Sequence, residues 1–149
     1  MKNSWRLILV ASAAVATAVA AEPRKHPEVE YGRPFPWVAC SDRASDQVEN
    51  AAKTIAELIG AKLEVQKRER NPICCVWVEV TGWNPTPGQG GYVIINQPGG
   101  SLISATNEEQ LLKAVERFKA ASRKGAEGVE VPTGIMTNFR IVPPEVEAR

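Results

Sequence analysis

The chain has 149 residues, 18 Lys and Arg against 17 Asp and Glu, one His, three Cys and 44% apolar residues, which is material for one domain. A formal charge of +1 excludes the broad basic field of a non-specific nucleic-acid binder, and the apolar fraction excludes wholesale disorder. One His with three Cys also offers little for a metal cage or a His-based catalytic centre, so no metal and no cofactor are expected.

Lys2 and Arg6 precede an apolar run from Leu7 to Ala20 that ends in small residues. This is the pattern of a secretory signal peptide over 1–21. A run of 14 residues, many of them Ala, is short for a membrane anchor, which needs about 20. Cleavage after Ala20 or Ala21 then exports the mature chain to the periplasm or the extracellular space, with no membrane attachment. Removing Lys2 and Arg6 leaves 16 basic against 17 acidic residues, so neither nucleic acid nor an anionic membrane is implied as a partner.

A Pro-rich arm over 22–37 follows, whose four prolines exclude a helix. His26 lies in its first half as a linker residue. Phe35-Pro36-Trp37-Val38-Ala39 reads as a short edge strand or plug.

The domain proper is expected over 38–142. Val48, Ala51, Ala52, Ile55, Leu58 and Ile59 recur at helical spacing, with Ser45 or an earlier Ser41 as cap and Gly60 as terminator. Beyond Gly60 the period changes to two, Leu63 and Val65 alternating with Glu64 and Gln66, which reads as a strand with one wet face. Asn71-Pro72 makes a turn into Ile73-Cys74-Cys75-Val76-Trp77-Val78-Glu79-Val80-Thr81, a β-branched run suited to a central strand. Alternation places Cys74, Val76, Val78 and Val80 on one face, toward the helix, and Ile73, Cys75, Trp77 and Glu79 on the other. A glycine-rich loop from Trp83 to Gly91 leads to a strand Tyr92–Asn96. Pro98-Gly99-Gly100 turns it into another, Leu102–Ala105. Thr106 or Asn107 caps a second helix with a buried stripe of Leu111, Leu112, Val115 and Phe118. An extended segment from Val129 to Val142 offers a further edge strand, and 143–149 form a tail. The expected architecture is an α+β two-layer sandwich, an antiparallel sheet of about four strands with two helices on one face.

The order Ala51-Ala52, Leu58-Ile59-Gly60, an apolar strand, Gly91-Tyr92-Val93-Ile94, Pro98-Gly99-Gly100-Ser101-Leu102-Ile103-Ser104-Ala105-Thr106, a helix, then Gly128-Val129 resembles the non-catalytic α+β domain that precedes the catalytic barrel in bacterial β-N-acetylhexosaminidases and α-glucuronidases. The resemblance covers Val38 to Val142 and is carried by apolar patterns and glycines. It implies the fold and an association with carbohydrate chemistry or with another domain. No barrel follows, so the catalytic carboxylates of those hydrolases have no counterpart in this sequence.

No other catalytic pattern replaces them: there is no nucleophile elbow, His-Glu-x-x-His or phosphate loop. Glycoside hydrolysis would need two flanking carboxyls. The one pairing on offer is Glu79 with Glu64 on the neighbouring strand, which reads better as two solvated residues. Non-catalysis is the expectation. The cysteines read as redox structure. If the first two strands form a hairpin, Cys74 returns to the helix end where Cys40 lies, and a Cys40–Cys74 bridge would contribute about 3–4 kcal/mol in the chain-entropy model. Cys75 is then a small buried hydrophobe or a thiol for a partner, and a vicinal Cys74–Cys75 bridge is the strained alternative. Trp77, Trp83 and Tyr92, with Trp37 nearby and Glu79 beside Trp77, form either part of a small core or an apolar platform for a sugar or protein chain. Three functions stay open: an exported non-catalytic module that contacts a glycan or a carbohydrate-active enzyme, a structural or inhibitory protein that docks another secreted protein through an open sheet face, and a hydrolase using Glu79.

Overall fold

The computed structural model describes residues 28–67, 73–82 and 90–139. The expected signal segment 1–21, His26, Trp83 with most of its glycine-rich loop, and the tail 143–149 lie outside the described residues. In chain order the elements are β1 (Tyr31–Gly32), β2 (Trp37–Ser41), α1 (Asp46–Ile59), β3 (Lys62–Gln66), β4 (Val76–Val80), β5 (Tyr92–Gln97), β6 (Gly100–Ala105), α2 (Glu108–Ala121), β7 (Arg123–Gly125), β8 (Gly128–Pro132) and β9 (Gly134–Thr137). They form a mixed α+β fold with one sheet in the order β3-β2-β4-β6-β5-β9 and a second, β1-β8-β7.

Both helices follow from their caps and stripes. The Ser45 hydroxyl accepts from the Val48 N–H at the start of α1, and Gly60 ends it at φ 67, where Ala61 N–H reaches back to Ala56 O over 2.8 Å. α1 buries Val48, Ala51, Ala52, Ile55 and Ala56. α2 is capped by Asn107, whose side chain accepts from Gln110 N–H, and buries Leu111, Ala114, Val115 and Phe118. Leu112, expected in that stripe, is 55% exposed. A step of 100° per residue carries it past the edge of the face that Leu111 and Val115 define.

The sheet differs from the antiparallel one expected. No hairpin joins β3 to β4, because β2 lies between them and runs parallel to both, with Val38 opposite Leu63 on one side and Val76 on the other. The connection from β2 through α1 to β3 is a βαβ crossover, and such a crossover joins parallel strands. Val38, Ala39 and Cys40 are fully buried, the continuous apolar run of an interior parallel strand rather than the edge strand or plug expected. β6 is parallel to β4, and antiparallel pairing is confined to β5 with β6 and β5 with β9 in this sheet. The turn at Pro98–Gly99 closes the β5–β6 hairpin as its sequence predicts.

The extended C-terminal segment divides between the two sheets. β8 pairs with β1 and β7, and after Gly134, at φ 111, the chain crosses to pair β9 with β5. The second half of the Pro-rich arm is therefore part of the fold, with Tyr31 opposite Pro132. Asn96 ties the sheets together: its side-chain amide donates to Val131 O at 3.2 Å and its oxygen accepts from the Ser101 hydroxyl at 2.7 Å.

The core sits on one face of the large sheet, where α1 and α2 cover Val38, Cys40, Val76, Val78, Tyr92, Ile94 and Ile103. On the opposite face Ala39, Cys75, Trp77 and Leu102 form a second, smaller cluster with Ile95 against it. The period-two reading of β4 holds from Cys75 onward. Cys74 breaks it: it precedes the strand, adopts φ 61, and is exposed rather than directed at the helix.

Candidate functional site

The parallel strands set the site. β2 ends at Ser41, whose hydroxyl accepts from Arg43 N–H at 3.2 Å and whose carbonyl accepts from Ala44 N–H at 3.1 Å, a tight turn that delivers Ser45 to cap α1. β6 ends at Ala105, and Asn107 starts α2 two residues on. Both strand-to-helix junctions therefore lie at the carboxyl ends of the parallel strands, the end where open sheets of this kind bind ligands. The Ser45 hydroxyl donates to Glu108 Oε1 at 2.5 Å and joins the two helix starts.

Between these junctions and the end of β4 lies a cleft of about 450 Å³, lined by Ser41, Arg43, Ser45, Trp77, Glu79 and Glu108 among others. That volume falls within the range of small-molecule sites. Trp77 and Glu79, two positions apart on one face of β4, are linked by an indole N–H that donates to Glu79 Oε2 at 2.9 Å. The indole fixes one carboxylate oxygen at the cleft. Arg43 is exposed, and its guanidinium makes no ion pair among the described residues. The positive ends of the two helices point the same way, offset by Asp46 and Glu49 in the first turn of α1 and Glu108 and Glu109 in that of α2. The set combines hydroxyls, carboxylates and one guanidinium, suited to a neutral ligand rich in hydroxyl groups. Among the described residues no group of three His, Cys, Asp or Glu is placed to hold a metal ion, and no helix is long and apolar enough to cross a membrane.

The residues singled out in the sequence separate. Trp77 is 1% exposed, so its ring faces packed neighbours and presents no stacking platform. Tyr92 is 8% exposed and belongs to the helix-covered core, on the opposite face from Trp77. The two cannot share a platform. Glu64 does not meet Glu79: β2 intervenes, which sets their strands about 10 Å apart, and Glu64 lies level with Ala39 and Trp77 while Glu79 lies level with Ser104. The Cys40–Cys74 bridge is absent. Cys40 is buried in the helix-side core and Cys74 is exposed before β4, and the hairpin that was to bring them together does not exist. Burial pushes the Cys40 thiol above its ordinary value, helped by the charge of Glu49.

Sequence reasoning missed Ser41, Arg43, Ser45 and Glu108 as site residues. The available signal was Val38-Ala39-Cys40 running directly into Ser41-Asp42-Arg43-Ala44-Ser45, a buried strand feeding a helix cap, which is how a strand-end ligand site opens. No family model matches this chain, and no curated protein matches it.

Proposed function

We propose that this chain is an exported, non-catalytic module that binds a glycan in the cleft at the carboxyl ends of β2 and β4. The observation that carries the reading is the Trp77–Glu79 hydrogen bond, which presents an oriented carboxylate to a cleft also lined by hydroxyls and the Arg43 guanidinium. A sugar unit donates and accepts at every hydroxyl, and such a mixed lining meets it without a net charge requirement. Glu79 and Glu108 each already accept a hydrogen bond from the protein, a role of fixed acceptors. The resemblance to the non-catalytic domain of β-N-acetylhexosaminidases and α-glucuronidases supports the same reading, as does the amino-terminal export pattern.

The test is titration calorimetry of the full chain with neutral, N-acetylated and uronic-acid oligosaccharides, alongside Arg43→Ala and Glu108→Gln. Saturable binding that weakens about tenfold in each variant, roughly 1.4 kcal/mol, is the expected result. No heat with any sugar from a cooperatively folded chain refutes the reading. A second reading, docking of another protein on the face opposite the helices, is favoured by Trp37 and Ile135, which are 48% and 69% exposed on that face. It predicts a stable complex that Trp37→Ser weakens and sugars leave unchanged.

A further inference from the structure

Cys74 and Cys75 stand at the entry to β4, and their backbone is clamped on both sides by the β5–β6 turn. Cys74 N–H donates to Gly99 O at 3.1 Å, and Cys75 O accepts from Ser101 N–H at 2.9 Å. In a regular strand two adjacent side chains point to opposite faces. Cys74 departs from that rule. Its φ of 61 is the one positive value at a non-glycine position among the described residues, and the left-handed step breaks the alternation just where the second thiol follows. Cys74 is exposed and Cys75 is 4% exposed, in the cluster with Ala39, Trp77 and Leu102. Burial pushes the Cys75 thiol up, and a charge on the neighbouring Cys74, then that on Glu64, pushes it further. Cys40 lies in the core on the other side of the sheet and does not compete.

We infer that Cys74 and Cys75 form a redox pair that closes to a vicinal disulfide by exchange with a small-molecule disulfide, and that closure regulates the cleft. The exposed Cys74 thiolate attacks one sulfur of the small disulfide, breaking its S–S bond and releasing one small thiolate. Cys75 then gives its proton to solvent, and its thiolate attacks the Cys74 sulfur of the mixed disulfide and expels the second small thiolate. Two protein thiols lose two electrons in all, and one small disulfide is reduced to two thiols. Closure draws the Cys75 sulfur out of the cluster that holds Trp77, the residue whose indole N–H orients Glu79. The regulatory half of the inference rests on the glycan reading; disulfide closure does not.

The full chain is equilibrated with reduced and oxidised glutathione, quenched in acid, alkylated with N-ethylmaleimide in denaturant and digested with trypsin. The peptide 71–113 carries both Cys74 and Cys75 with no internal Lys or Arg, and 26–43 carries Cys40. Oxidation is expected to yield 71–113 unalkylated and two hydrogens lighter, with Cys40 fully alkylated, and Cys74→Ser or Cys75→Ser abolishes that species. A glutathione adduct on Cys74 that never closes, or 71–113 joined to 26–43 or to a second copy of itself, overturns the inference. Titration of the reduced and closed forms with a bound sugar then reads the coupling: a several-fold loss of affinity on closure that dithiothreitol reverses is expected, and equal affinity overturns regulation. A chain that closes its disulfide and binds no sugar in either state overturns the glycan reading and the regulatory half with it, while disulfide closure stands.

Discussion

Replacing Trp77 separates a core residue from a binding platform. An indole buries about 150–250 Å², and at about 25 cal/mol per Å² its removal from water is worth roughly 4–6 kcal/mol. Large-to-small aromatic substitutions in cores cost about 3–5 kcal/mol. With Trp77 1% exposed, Trp77→Ala is therefore expected to lower stability by about 4 kcal/mol, or roughly 10 °C in Tm for a chain of this size. Trp77→Phe keeps most of the bulk and removes the N–H that donates to Glu79. A hydrogen bond to a charged group is worth about 1.5–3 kcal/mol, and the half-buried position of Glu79 puts the loss at the lower end. Glu79→Leu combined with Trp77→Phe closes a double-mutant cycle in which a coupling of about 1 kcal/mol or more reports the bond itself. Urea unfolding followed by far-ultraviolet circular dichroism measures the parent and all four variants without relying on tryptophan emission. A Trp77→Ala chain within about 1 kcal/mol of the parent, well short of the core cost, refutes the burial argument and returns the indole to the surface as a platform.

Two further outcomes follow from particular contacts. Asn96→Leu leaves the Ser101 hydroxyl and the Val131 carbonyl without their partner. It is expected to cost about 2–4 kcal/mol and, because Asn96 joins the two sheets, to raise amide exchange in β8 before the rest of the fold, as hydrogen-exchange mass spectrometry reads it. The second outcome concerns pH. The Cys40 thiol is raised by burial first and Glu49 second, and Cys75 by burial, Cys74 and Glu64. A raised folded value means that the unfolded chain releases these protons first. The stabilisation is thus complete below about pH 8.5 and is lost as pH rises through the folded values. Urea midpoints of the reduced chain should fall over that alkaline window, with a shallower slope in Cys40→Ala; equal slopes reject the assignment to Cys40.

How much of this could be read from the residues depends on which forces act locally. The helices were legible because a cap, a stripe and a terminator all lie within one segment: Ser45, Val48 through Ile59, and Gly60 act over a few turns. The β5–β6 hairpin was legible for the same reason, since Pro98 and Gly99 sit between its strands. The order of the sheet was not. β2 is five residues long and follows four prolines, and its claim to the interior rests on pairing with β3 and β4 across 25 or more positions of sequence. Three buried residues in a row, Val38, Ala39 and Cys40, were the local trace of that placement, and an expectation of one-sided antiparallel strands discounts such a trace.

The error in the sheet propagated to the site. Alternation along β4 correctly separated Val76 and Val78 from Trp77 and Glu79, but alternation says which way a side chain points and nothing about what covers it. Trp77 was open to either role until its burial was known. A mixed sheet also has directed ends where a purely antiparallel one does not, because β2, β4 and β6 bring their carboxyl ends to one side together with the starts of both helices. That polarity puts Ser41, Arg43, Ser45 and Glu108 beside Glu79, from which they lie 29–38 positions away in the chain. Glu79 thus gains its candidate role from where the strand ends, and a substitution that shortened β2 by its last residue, Ser41→Pro, would remove the cleft wall while sparing both helix stripes.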